Sequence, residues 1–163
     1  RPATVCGYSE RQRLDVIVNI LTNHAFFNKK IIIHGGEQLR PNIHIDDMAD
    51  SYLHVINNAR KSNNEIFNVG DENYSVNELA EMVNKACPDA ELIKEKVLDQ
   101  RSYKISSEKI YNKIGFKTKK TIADAIEDLV NAFAKEKLVN TFENDEFYNL
   151  KVIQKNIKSL LND

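Results

Sequence analysis

Glycine is scarce in this chain: its 163 residues include only five, at Gly7, Gly35, Gly36, Gly70 and Gly115. Their spacing excludes the glycine-rich turn with which a strand–helix–strand unit cradles the phosphates of a dinucleotide. An excess of one charge is also lacking. The 23 basic and 24 acidic residues are scattered rather than striped, which leaves no electrostatic footprint for nucleic acid. No apolar run approaches the length of a membrane span and no secretory signal is recognisable, so no membrane partner is expected. Cysteine is nearly absent: Cys6 sits in an apolar stretch and Cys87 precedes Pro88. Two cysteines in such different settings are expected to be reduced thiols of a cytoplasmic protein rather than a disulfide framework. The four histidines and two cysteines show no metal-ligand spacing, and no metal is expected. His34 and His44 are placed by the pattern in neighbouring strands close enough to meet, and a metal site there is the minor reading.

What the chain does have is concentrated between Lys29 and Asp47, KKIIIHGGEQLRPNIHIDD. Two β-rich runs, Ile31–His34 and Asn42–Ile45, flank a Gly35-Gly36 turn and a lone arginine, Arg40. Asp46-Asp47 then opens an amphipathic helix through Met48, Ala49, Tyr52, Leu53, Val55 and Ile56. An arginine held between two strands near a helix start can turn its planar fork into a cleft and pair with phosphate oxygens. The same spacing also describes a surface hairpin carrying a solvated arginine, and spacing alone leaves both open.

Elsewhere the pattern is α/β. A strand is expected over Arg1–Gly7 and a helix over Leu14–Phe26, with Leu14, Ile17, Val18, Leu21 and Ala25 at helical spacing. Glu65–Val69 and Glu91–Val97 read as strands, the second an edge. Ser75 with Glu78 and Thr121 with Asp124 are N-terminal helix signals, each a hydroxyl with an acid three places later. Ser106 is expected to cap a short helix that Gly115 ends. After Leu138 the pattern weakens. Leu150, Ile153, Ile157, Leu160 and Leu161 have helical spacing, which predicts a terminal helix patching its own core, or else meeting a partner subunit.

The block around Arg40 resembles the strand–Gly–x–x–x–Arg segment, followed by a hydrophobic–His/Tyr–hydrophobic–x–Asp run, of the extended short-chain dehydrogenases. Within them it is most similar to the NAD-dependent nucleotide-sugar epimerases and dehydratases. Other blocks follow in the family's order. RPATVCG at 1–7 is similar to the strand after the family's catalytic helix, and EIFNVG at 65–70 to its x-x-Tyr/Phe-Asn-Ile/Val-Gly strand. Arg101-Ser102-Tyr103, Ser106 to Ile110 and Ile114-Gly115-Phe116 resemble the arginine module near its C-terminus. The family's catalytic Tyr-x-x-x-Lys pair is not found: position +4 from each of the six tyrosines is Gln12, Ile56, Glu78, Ser107, Gly115 or Val152.

The resemblance implies the C-terminal part of a Rossmann-like extended short-chain dehydrogenase: the last sheet strands plus a small α/β substrate-binding lobe. Residues 1–137 are expected to be that part, with helix 46–59 flanking the sheet and helix 121–135 in the lobe, and 138–163 a helical extension. The chain is then expected to be part of a longer, homodimeric enzyme and inactive by itself, with NAD bound mainly by an N-terminal half. The implied substrate is a nucleotide-diphosphate sugar, oxidised at C4 to a 4-keto intermediate. Arg40 and Arg101 would clamp its diphosphate, the rival reading of Arg101 being an ion pair with Asp99 or Glu108. His34 would lie against the base, and Arg13 would border it. Asn68 would stand near the phosphates or tie backbone together as a buried amide. Asn42 would face the active site, and Thr4 stands where many members carry an asparagine that contacts the sugar phosphate. No catalytic residue is assigned. A reductase acting on something other than a nucleotide sugar, and a non-catalytic nucleotide sensor, remain the alternatives.

Overall fold

Parallel pairing, not a hairpin, organises the strands. The computed structural model describes residues 1–96 and 101–161, with side chains to residue 157. Val97 and Asp99, named above, lie outside the described residues, as do the side chains of Leu160 and Leu161. Strand β1 (Thr4–Cys6) runs parallel to β3 (Leu39–His44), with Thr4 opposite Asn42 and Cys6 opposite His44. On its other side β3 pairs antiparallel with β4 (Asn73–Ser75), Arg40 opposite Tyr74. Strand β2 (Lys30–His34) belongs to a second sheet, parallel to β5 (Glu91–Glu95).

The two β-rich runs around the glycine pair therefore lie in different sheets. Residues 35–38 carry the chain from one to the other. Gln38 holds this link: its Oε1 accepts from Gly36 N at 2.7 Å and its Nε2 donates to the His34 carbonyl at 2.6 Å. Gly36 has φ +129°, and an added Cβ would lie 2.4 Å from Asn77 Oδ1, so both conformation and space demand glycine here. His34 and His44 consequently do not meet. His34 is exposed at the end of β2, while His44 is fully buried.

Local chemistry places the helices. Helix α1 (Ile17–Asn28) begins three residues later than its apolar spacing suggests, because Leu14 is buried in extended backbone whose N–H donates to the Phe147 carbonyl at 2.9 Å. Helix α4 (Val76–Ala86) and helix α6 (Ile122–Ala134) carry the expected capping boxes at Ser75/Glu78 and Thr121/Asp124. Ser75→Ala and Thr121→Ala are each expected to lower unfolding free energy by about 1 kcal/mol, read from the urea midpoint. Unchanged midpoints would show that the caps contribute nothing.

Helix α5 (Glu108–Ile114) ends on Gly115 at φ 78°, as expected, but its N-cap position is Ser107 rather than Ser106. The Ser107 hydroxyl is taken by Gly70, bonding both its N–H and its carbonyl at 2.9 Å, and Ser106 Oγ accepts the Glu108 N–H instead. Helix α2 (Ile45–Asn57) forms where expected but buries Asp47, Met48 and Ser51, leaving Tyr52, Leu53 and Ile56 outward at 59%, 59% and 67% exposure. Asp47 sets that rotation, its carboxylate accepting the Lys119 and Lys120 N–H groups at 2.9 and 2.8 Å. A short helix, α3 (Ala59–Ser62), follows. The expected strand 65–69 is reduced to one parallel bridge, Pro2 to Val69.

Three apolar clusters hold these elements. Ile31 and Ile33 of β2 pack with α1, α4 and α6 through Val18, Leu21, Leu79, Val83 and Ile126. Ala3, Ile43, Phe67 and Val69 pack with Ile110, Ile114 and Phe116. Leu14, Leu129, Phe133 and Leu138 form the third, joined by Phe147 and Tyr148. The last helix, α7 (Asn149–Leu161), turns Leu150, Ile153 and Ile157 outward. Residues 138–148 patch the core through Leu138, Phe147 and Tyr148. Both cysteines are free and buried, and burial, with the Asp71 charge adding to it, pushes the Cys6 thiol up to about 12. No helix among the described residues is long and apolar enough to cross a membrane.

Candidate substrate cleft

Arg40 stands in β3 opposite Tyr74 of β4, two residues before the stretch of β3 that pairs with β1, so its backbone is fixed within the sheet. Its Nη1 donates to the Leu39 carbonyl at 3.0 Å and to the Arg101 carbonyl. The Leu39 N–H donates to Ser102 Oγ at 3.0 Å, and the Tyr103 ring lies 6.0 Å from the Arg40 guanidinium carbon. The 101–103 segment is thereby tied along the start of β3, which brings Arg101 to the same place as Arg40 from 61 residues away.

Both arginines line a cleft of about 570 Å³ together with His34, Gln38 and Asp15. Its other wall is apolar, formed by Ile17, Ile20 and Leu21 of α1 with Ile32 and Val76, and His24 also contributes. A smaller recess of about 230 Å³ shares Asp15, Ile17, Arg40 and Arg101 and adds Thr4, Val16 and Tyr103. Burial lowers the pKa of His24, which favours the neutral ring; its Nδ1 faces the Asn28 amide at 3.2 Å and its edge meets Phe142 at 5.0 Å. The chemistry of this lining is that of binding. Two planar cations can pair with phosphate oxygens beside an apolar wall fit for a flat ring.

Of the seven residues singled out from the sequence, the structure brings Arg40, Arg101, His34 and Thr4 to these adjoining cavities. His34 also faces Glu95, Nδ1 to Oε2 at 3.3 Å. The other three lie elsewhere. Asn42 is fully buried and points inward, its Nδ2 donating to the Arg40 carbonyl at 2.8 Å, so it supports the backbone behind Arg40 and does not face the cleft. Its Oδ1 has no partner among the described residues. Asn68 is exposed: in this extended segment Phe67 and Val69 turn inward, which leaves the amide between them outward, neither buried nor in the cleft. Arg13 pairs with Asp15, Nε to Oδ1 at 2.9 Å, and borders a neighbouring depression that also touches Thr4.

Sequence reasoning missed Asp15, Gln38, Tyr103 and His24. Gln38 and Tyr103 fall inside the blocks already singled out and carried no assigned role, while nothing in the local sequence marks His24 or Asp15. His44, Asp46 and Asp128 bring potential ligand atoms within 4.8 Å of one another. His44, however, already uses both ring nitrogens: Nδ1 accepts the Asp46 N–H at 3.1 Å, which leaves Nε2 to donate to Asp128 at 3.1 Å. A satisfied core histidine accounts for it.

NAD, which the resemblance assigns mainly to an N-terminal half, finds no glycine-rich phosphate turn among the described residues. Among the described residues, each helix begins at least six positions past the nearest preceding glycine, the smallest gap being Gly70 to Val76.

Residues 1–70 match the family model of the NAD dependent epimerase/dehydratase family, which bears out the resemblance read from the sequence. UDP-D-apiose/UDP-D-xylose synthase 2 of Arabidopsis thaliana is 33% identical over 82 residues, which cover 49% of this chain and 21% of that protein. Among solved structures, a UDP-glucose 4-epimerase of Thermotoga maritima, held with UDP-glucose, superposes with TM-score 0.70 at 22% identity over 85% of this chain and 46% of that one. A UDP-glucuronic acid 4-epimerase of Bacillus cereus, in complex with UDP-glucuronic acid and NAD, gives TM-score 0.70 at 20% identity over 83% and 44%. The chain thus spans a fifth of the matched synthase and under half of these solved relatives. The fold is the Rossmann-like α/β fold of these enzymes.

Proposed function

We propose that this chain is the nucleotide-sugar-binding portion of an NAD-dependent epimerase or dehydratase. The observation that carries the reading is the convergence of Arg40 and Arg101, from distant parts of the sequence, on one cleft with an apolar wall. Two forks gripping a diphosphate from either side supply both charge and orientation. The apolar wall beside His34 takes the base, and the sugar extends past Thr4. Residues 1–137 form the binding portion and 138–163 an extension of it. The chain's part in the reaction is to hold the anchor from which the sugar reaches a nicotinamide. Oxidation of the sugar at C4 would be the chemistry that a nicotinamide cofactor supplies when bound, and no residue of this chain is assigned to that step. The UDP-sugars held by the solved relatives make UDP-glucose the probe of choice.

Calorimetry of the chain with UDP-glucose tests this. Binding is expected, and Arg40→Ala and Arg101→Ala should not act additively, because both side chains serve one diphosphate. Their double-mutant cycle should give a coupling of about 0.5–3 kcal/mol, the range for residues that share a partner. Arg101→Lys should recover only part of the loss, since a point charge does not reproduce the planar fork. Additive losses, or full rescue by lysine at both positions, would mean that the arginines act separately through the general field.

A further inference from the structure

A carboxylate is an odd neighbour for a phosphate clamp, yet Asp15 lines both the cleft and its recess beside Arg40 and Arg101. Its side chain is 23% exposed and both oxygens are engaged. Oδ1 lies 2.9 Å from Arg13 Nε, and Oδ2 accepts, at 2.9 Å, the N–H of Asn149, the first residue of α7. The same stretch grips the tail on either side. Arg11 donates to the Glu146 carbonyl and to Asn149 Oδ1 at 3.4 and 3.2 Å, and the Leu14 N–H donates to the Phe147 carbonyl. One guanidinium and the positive end of a helix thus converge on one carboxylate at the wall of the cleft.

We propose that Arg13 and the amino end of α7 are positioning elements of the cleft: they neutralise and orient Asp15, so that its carboxylate does not repel the two negative charges of an esterified diphosphate held at Arg40 and Arg101. The inference rests on the function proposed above and goes further, making the C-terminal tail part of the substrate site. Arg13 acts through Asp15 and not by touching the nucleotide. An uncompensated carboxylate so near the phosphates repels them in a partly desolvated cleft, where charges are weakly screened.

The test is calorimetric titration of UDP-glucose into the full chain and its variants at fixed salt. Arg13→Ala is expected to weaken binding roughly tenfold through the exposed charge of Asp15. The same substitution in an Asp15→Asn background should change affinity less than about twofold, because no charge is left to neutralise. Arg13→Lys should retain most of the affinity. Asn149→Pro removes the N–H that Asp15 accepts, at a helix start that accommodates proline after Tyr148 at φ −124° and ψ 103°, and with it the Oδ1 that Arg11 reaches; measured against Asn149→Ala, which loses only that Oδ1, it should weaken binding severalfold unless Asp15 is already asparagine. Asp15→Asn alone, with its fold checked by the urea midpoint, should bind at least as tightly as the unaltered chain.

Equal loss from Arg13→Ala in both backgrounds would make Arg13 a direct ligand and overturn the inference, leaving the substrate reading intact. Weaker binding by Asp15→Asn alone, or no effect of Arg13→Ala, would overturn it equally. If the unaltered chain does not bind UDP-glucose, the substrate reading falls and this inference falls with it.

Discussion

Arg40→Ala is expected to weaken UDP-glucose binding on the order of a hundredfold, the largest functional effect of any single change in the chain. Losing a charge-assisted pair to phosphate inside a cleft costs about 2–3 kcal/mol, and each 1.4 kcal/mol is tenfold in affinity. A second contribution comes from within the protein. Because Arg40 Nη1 also holds the Arg101 carbonyl, the variant loosens the segment that carries the other half of the clamp. Arg40→Lys separates the two contributions: it restores charge but not the fork, and should recover part of the affinity. Calorimetry gives the affinity, and the urea midpoint shows whether the fold is intact. Unchanged UDP-glucose affinity in a folded Arg40→Ala protein would remove the diphosphate role.

Phe133→Ala is expected to be the most destabilising change, at about 3–5 kcal/mol, the usual range for emptying a buried aromatic site. Phe133 is 3% exposed in the cluster that joins α1, α6 and residues 138–148. Its ring centroid lies 5.4 Å from that of Phe26 and 5.1 Å from that of Phe27, so truncation leaves a void that two neighbouring rings must collapse to fill. Phe27 is 43% exposed on the rim of the same ring group, and Phe27→Ala should cost clearly less. Urea unfolding gives both values. Hydrogen exchange at the Leu14 amide, bonded to the Phe147 carbonyl, should quicken in Phe133→Ala as the tail loosens. Equal costs at the two positions would mean that burial does not set the difference between them, and unchanged exchange at Leu14 that the tail does not share this core.

The places where local reading succeeded and failed divide by distance along the chain. Thr121 and Asp124, like Ser75 and Glu78, meet across three residues, so their helix starts were legible from composition and spacing. The β-runs on either side of Gly35-Gly36 were legible as strands but not as members of separate sheets. Ile31 takes its partner from Leu92 and Ile43 from Val5, and nothing within a few residues of either strand records that choice. The face of α2 was misjudged for the same reason, since Asp47 is drawn inward by backbone at 119–120.

The candidate site follows the same division. Arg40 and Arg101 were recognisable because each lies in a block whose residue order is itself a signal. That they line one cleft depends on hydrogen bonds spanning more than 60 residues, Leu39 to Ser102 and Arg40 to Arg101. Asn42 and Asn68 carried the right chemistry in the right blocks, but orientation decides access, and alternation along an extended chain turned one inward and the other out. By itself the sequence determined the α/β class and the helix starts at Ser75 and Thr121, since these rest on backbone preferences and side-chain contacts a few residues apart, while the order of its blocks singled out Arg40 and Arg101. Only the tertiary structure decided which strands pair, which face of α2 is buried and what partners Asp15, because those choices are made by burying apolar surface and matching donors with acceptors between segments that meet only once the chain has folded.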